Sequence, residues 1–258
     1  MSPRLCHDSF MGLRWLLTAG IVLMCLSANV TAQAPKPGDP FHLVEPAPAP
    51  GDKAGNWTLH FRYAAPRILT VDVPGKGKVE VWYMVYRIYN TTKNPQSVTS
   101  LKFELVTKDL NTTHLDEPQP AVFKAIAARE DPDNNLNLLT TTQVTQNPIP
   151  VTKQDSFPRY VSGMAVWTDV PLRAKTTNKF SVYVSGLSDG LVAEKQADGS
   201  KLIKVKTLQL DFQKPTDTAS SGIDDIKRED NGGLGGERWI YRAVDKKAAA
   251  TAKTDDAK

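Results

Sequence analysis

Val79-Glu80-Val81-Trp82-Tyr83-Met84-Val85-Tyr86-Arg87-Ile88-Tyr89 carries large apolar side chains along both sides of its backbone. A period of two puts Val79, Val81, Tyr83 and Val85 on one face and Trp82, Met84, Tyr86 and Ile88 on the other. β-Branched and aromatic residues at that period form a strand. Apolar side chains on both faces need cover on each side, so the strand is central to its sheet.

The same rhythm continues outward. Trp57, Leu59, Phe61 and Tyr63 alternate with Thr58, His60 and Arg62, which predicts a half-buried strand. Pro66 and Pro74-Gly75-Lys76-Gly77 punctuate a turn region. Asn90-Thr91-Thr92-Lys93-Asn94-Pro95 breaks the long strand, and Leu101, Phe103 and Leu105 resume the alternation, as in an antiparallel pair joined by a loop. Further strands are expected at 140–144, 161–167, 179–185, 202–212 and 238–244. Asp198-Gly199 makes a hairpin turn between 191–194 and 202–206. Short strands divided by Gly, Pro and Asn turns give a mainly β chain, an antiparallel immunoglobulin-like β-sandwich rather than βαβ units. One stretch departs from it. In 120–130, Val122, Phe123 and Ile126 share a helical face, Pro120 fits a first turn and Pro132 stops the run, so one short helix is expected to cap the sandwich.

Both cysteines, Cys6 and Cys25, fall within the first 25 residues. Arg4 and Arg14 lead into an apolar run from Trp15 to Leu26, and Val30-Thr31-Ala32 ends it with small side chains. That order is the pattern of a cleavable signal peptide over 1–32, with cleavage after Ala32 or, second, Ala34, and with Met11 as an alternative start. The run is shorter than the roughly 20 residues of a spanning helix. Lipidation at Cys25 is disfavoured by the large Met24 before it. A thiol-free mature chain excludes thiolate nucleophiles, disulfides and Cys-based metal sites. Segment 33–55 carries six prolines and reads as a Pro-rich linker, 56–244 as the β-sandwich domain and 245–258 as a disordered tail.

The chain has 32 basic and 28 acidic residues. Loss of Arg4, Arg14 and Asp8 with the leader leaves 30 and 27, a net charge of +3. So small and dispersed an excess excludes a nucleic-acid footprint. No later segment is apolar enough to span a membrane. The remaining histidines, His42, His60 and His114, are far apart, with no H-E-x-x-H and no G-x-S-x-G elbow. His60 reads as a solvated strand residue and His114 as a loop residue. Asn231-Gly232-Gly233-Leu234-Gly235-Gly236 follows a polar loop and precedes a strand, the reverse of a phosphate cradle, and reads as a hinge. No cofactor is implied.

Two sets of residues remain as candidates, and a third pattern, the Asn-x-Thr triplets, bears only on a eukaryotic source and is set aside. Trp239 and Tyr241 share one face of the last strand, and Arg238 and Arg242 share the other, where two guanidiniums line an anionic groove or guard an edge strand. Asp224, Asp225, Glu229 and Asp230 offer oxygen ligands to calcium, although their spacing misses the Asp-x-Asp-x-Asp-Gly pattern. Asn56, Asn90 and Asn111 each open an Asn-x-Thr triplet, the acceptor pattern for N-glycosylation.

Val81 to Arg87, Ile126 to Pro132, Gly163 to Trp167, Val182 to Ser188 and Trp239 to Arg242 together resemble a group of uncharacterised exported bacterial β-sandwich proteins. The resemblance implies a single exported folded unit and carries no site or substrate. The expectation is a periplasmic or secreted, non-catalytic binding or envelope-associated structural module with a protein or glycan partner. The alternative is a secreted hydrolase using paired carboxylates.

Overall fold

The computed structural model describes residues 40–153, 157–215, 226–229 and 236–243. The expected signal peptide, the tail, residues 231–235 of the Gly-rich hinge and Asp224, Asp225 and Asp230 lie outside them. Thirteen strands and three helices follow in chain order: β1 (His42–Val44), β2 (His60–Tyr63), β3 (Arg67–Val73), β4 (Gly77–Tyr89), β5 (Lys102–Thr107), β6 (Thr113–Leu115), α1 (Pro120–Glu130), β7 (Leu139–Thr140), α2 (Thr141–Val144), β8 (Tyr160–Trp167), α3 (Val170–Arg173), β9 (Lys179–Ser185), β10 (Leu191–Lys195), β11 (Lys201–Gln213), β12 (Lys227–Arg228) and β13 (Glu237–Ala243).

The chain is mainly β, in two sheets rich in antiparallel pairs. The first runs β1-β2-β4-β8-β7, with β3 also on β4; the second runs β10-β11-β9-β5-β6, with β12 and β13 also on β11. β4 is central, as its two apolar faces require. β8 pairs along one side of it, while β2 and β3 divide the other. The register slips by one residue between them, so Ala64, Ala65 and Pro66 oppose only Met84 and Val85. Proline has no amide to give the ladder, and this bulge is where a sheet tolerates it.

Each face of β4 has its own cover. Trp82, Met84, Tyr86 and Ile88 join Phe61 and Trp167 in a core shared with Phe103, Phe180, Val184, Leu210 and Phe212 of the second sheet. Val81, Tyr83 and Val85 meet Val122 and Ile126 of α1 on the opposite face. Glu130 anchors the end of α1 to both Arg67 (2.5 Å) and the Tyr83 hydroxyl (2.7 Å). Stacked and edge-on rings fill the inter-sheet core, Tyr86 with Phe103 at 4.6 Å and Phe180 with Phe212 at 5.5 Å between centroids. Gly163 is required there: a Cβ at that position would sit 2.5 Å from the Tyr86 hydroxyl.

Four expectations are corrected. The expected strand at 140–144 becomes the short β7 and the helical turn α2, because Thr140 and Gln143 form a capping box in which each side chain meets the other's backbone N–H. The one expected helix is joined by two helices of four residues, α2 and α3. His114 is not in a loop. It is fully buried in β6, its Nε2 2.8 Å from Thr112 Oγ1. From Pro40 to Lys53 the supposed linker belongs to the fold: β1 pairs with β2, and Phe41, Val44 and Ala49 are buried. Extended proline-rich backbone leaves its carbonyls unsatisfied. Here Trp239 Nε1 donates to Glu45 O (3.0 Å) and Lys206 Nζ to Ala47 O (2.8 Å).

Candidate binding surface

The candidates on β13 divide as the alternation predicts, but each is tied up within the fold. Trp239 is in the shared core with the Lys206 ammonium 5.5 Å from its ring centre. The Tyr241 hydroxyl donates to Asp52 Oδ1 (2.8 Å). On the other face, Arg238 reaches Asp211 Oδ2 (3.2 Å), and Arg242 pairs with Glu104 while its guanidinium stands 4.3 Å from the Tyr183 ring centre. Asp211 is fully buried and accepts from Ser181 Oγ (2.6 Å) and Gln209 Nε2 (2.8 Å). Burial pushes its pKa up, but these donors and Lys108 outweigh burial and hold it below the ordinary aspartate value. The two arginines thus neutralise buried acids. Glu229, the described member of the acidic loop, is bound by Lys108 (2.7 Å) and Lys179 (2.9 Å), and the hydrogen bond from Lys108 leads in lowering its pKa. Among the described residues no group of three or more His, Cys, Asp or Glu is placed to hold a metal ion.

An open groove of about 590 Å³ lies elsewhere, between segments far apart in the chain. Pro46, Ala47 and Pro48 form one wall, Asn56, Trp57 and Thr58 the second, and Thr91, Thr92 and Lys93 the third, with Asp52 and Lys206 also lining it. Its walls are pinned. Asp189 and Ser188 hold the backbone of Trp57 at N (2.8 Å) and O (2.6 Å). Asn90 is fully buried and braces the third wall, donating to Asn94 O and Ile149 O (both 2.9 Å) and accepting from Thr92 N (2.9 Å). That occupancy explains Asn90 in its Asn-x-Thr triplet without a sugar. Asp52 is the one acid among the described residues that line the groove. Burial raises its pKa, but the hydrogen bonds from Lys206, Ala49 N–H and Tyr241 outweigh that and keep it ionised. The Asn56 amide is buried beside the Tyr241 phenol, and its hydrogen bond to that oxygen opposes the rise in pKa caused by burial and Asp52.

Two residues further along the same strands, the groove gives way to a cation–aromatic surface. It occupies the face of the first sheet that also bears α1. Arg62 lies 5.3 Å from the Tyr89 ring centre, Tyr89 and Tyr160 are 5.2 Å apart, and Arg87 is 5.0 Å from Tyr160 and 3.9 Å from Phe41. His60 is half-buried in β2 rather than fully solvated, and burial lowers its pKa. Sequence alternation placed His60 and Arg62 on this face; the groove has no such signal, because its walls are loops brought together by the fold.

No protein-family model, curated protein or solved structure matches the chain. Among the described residues no helix is long and apolar enough to cross a membrane.

Proposed function

We propose that this chain is an exported, non-catalytic glycan-binding module of the cell envelope, an immunoglobulin-like sandwich in build, working through the groove and the cation–aromatic surface beside it. The observation that carries the reading is the groove itself: a braced, open channel lined by Trp57, Thr91 and Lys93, an indole beside a hydroxyl and a cation, the chemistry that stacks on and hydrogen-bonds a sugar. The leader over 1–32 and the resemblance to exported proteins support the location. Glycoside hydrolysis needs two carboxyl groups across the scissile bond. The groove's lining offers one, and that one is engaged by Lys206 and Tyr241.

The test is capture of envelope polysaccharide by the purified protein, compared with Trp57→Ala and Lys93→Glu. Capture that both substitutions abolish supports the reading. Capture of a protein instead, or of glycan with both variants at full strength, overturns it.

A further inference from the structure

We propose that the glycan taken by the groove is acidic, its carboxylate received by Lys93 and Thr91 while its ring lies against Trp57. The inference rests on the glycan-binding reading and specifies the partner of that same groove. Most polar groups of the lining are spent within the fold. Asp52 is engaged by Lys206, Tyr241 and Ala49 N–H, and Lys206 by Asp52 and Ala47 O. Thr58 Oγ1 donates to Ser188 Oγ (3.0 Å). Thr92 Oγ1 donates to Asn90 Oδ1 (2.7 Å) and accepts from Gln96 Nε2 (3.1 Å). The proline wall has little to give an acid: Pro46 and Pro48 carry no N–H, and Ala47 O already accepts from Lys206. Its rings offer an apolar face to the C–H side of a sugar.

What remains is a cation, a hydroxyl and an indole. Among the described residues the side chains of Lys93, Thr91 and Trp57 have no hydrogen-bond or ion-pair partner, and Lys93 and Thr91 are exposed at the groove. Asp52 cancels Lys206, so the charge left on the lining is that of Lys93, two lysines less one aspartate. One positive charge matches one carboxylate, whereas a phosphate monoester carries close to two charges at neutral pH. Thr91 and Lys93 stand two residues apart on the same wall, and a carboxylate accepts from both with its two oxygens. Trp57 is a fixed platform beside them. Its backbone is held by Asp189 and Ser188, and its half-buried ring packs on the core, so little freedom is lost when a sugar stacks on it.

The experiment compares two trisaccharides of one backbone by calorimetry on the purified protein: trigalacturonate, and the same molecule with its carboxyl groups reduced to alcohols. Trigalacturonate should bind about three- to fivefold more tightly, the increment of an exposed ion pair. Sodium chloride at about 1 M, where the Debye length is about 3 Å, should erase that margin. Lys93→Gln should erase it too while leaving the reduced trisaccharide unaffected, and Lys93→Arg should keep it. Equal affinity of the two trisaccharides, no binding of either, a margin kept by Lys93→Gln or one lost in Lys93→Arg overturns the acidic partner. If that happens while envelope polysaccharide is still captured through Trp57, the acidity falls and the module stands. If the margin depends on Lys93 but Trp57→Ala binds trigalacturonate like the parent and capture fails, the module reading falls and the Lys93 anion site stands.

Discussion

The Lys206 ammonium and the Asp52 carboxylate stand 2.7 Å apart across 154 residues of chain, with the lysine side chain only 4% exposed. The same ammonium donates to Ala47 O, and the same carboxylate accepts from Tyr241 and from Ala49 N–H. One long-range pair therefore fastens the proline-rich segment over the paired middles of β11 and β13, where Lys206 faces Tyr241 in register, and that segment is a wall of the groove. Removing one partner of a fully buried pair costs about 3–5 kcal/mol. Asp52 keeps some access to water, so Lys206→Ala is expected to cost about 2–3 kcal/mol, measured by denaturant unfolding. Amide exchange over residues 45–53 should accelerate far more than in β4. Unchanged protection there would refute the clasp.

Asp116 joins the two sheets. Its Oδ1 accepts from Val166 N (2.8 Å), its Oδ2 from Thr141 Oγ1, and its own N–H donates to Phe103 O (3.2 Å). Burial pushes its pKa up to about 6, against hydrogen bonds from Thr141 and Val166 that pull it down. Unfolded, the group ionises near 4. Between those values the folded chain holds the extra proton, so stability falls as pH rises from about 4 to about 6, and the full cost of about 3 kcal/mol persists above that. Asp211 and Glu237 act the other way: their pKa values are held low, and their contribution is lost as pH drops below about 4. Thermal melts should give a maximum in weak acid. Asp116→Asn should flatten the slope between about pH 4 and pH 6 and melt above the parent at pH 8.

The strands could be read because burial on a sheet face imposes a period of two, and α1 because its buried positions, Val122 and Ile126, recur at the helical interval. What escaped has a different physical origin. The clasp joins backbone carbonyls of 45–47 to Trp239 and Lys206, and a carbonyl leaves no mark in the residue sequence. α2 is not legible in the sequence because β-branched Thr141, Thr142 and Val144 suggest a strand, while the deciding contact is the Thr140–Gln143 cap. Alternation puts Arg238 and Arg242 on one face of their strand. Their partners, Asp211 and Glu104, come from β11 and β5, and only the pairing register reveals that the charges meet. The groove draws on residues 46–48, 52, 56–58, 91–93 and 206, and no single stretch announces it.

Gly163 lies beneath the fully buried Tyr86 ring, and a methyl group there would come within 2.5–2.8 Å of three ring and hydroxyl atoms. The ring is held by Phe61 and Phe103, at 5.6 and 4.6 Å between centroids, so it has nowhere to retreat. Overpacking of this kind costs about 1–3 kcal/mol, and more where backbone must shift. Gly163→Ala is expected at about 3 kcal/mol, with β8 exchanging its amides faster. A neutral alanine variant would contradict the close approach of Tyr86.

Asp211 tests what the β13 arginines do. Its carboxylate takes hydrogen bonds from Ser181, Gln209 and Arg238 with Lys108 at 3.3 Å, and every one of those groups is a donor. An amide in its place turns a donor toward donors and leaves positive charge without its counter-ion. Asp211→Asn should therefore cost about 2–3 kcal/mol. Arg238→Ala should cost less than about 1 kcal/mol, because that guanidinium is more than half exposed and the acid keeps its other partners. If the arginines served a ligand instead, both single substitutions would be near-neutral in unfolding and Arg238→Ala would impair glycan capture. The intramolecular pairing predicts the opposite on both measurements: a large stability difference between the two variants, and capture by Arg238→Ala equal to that of the parent.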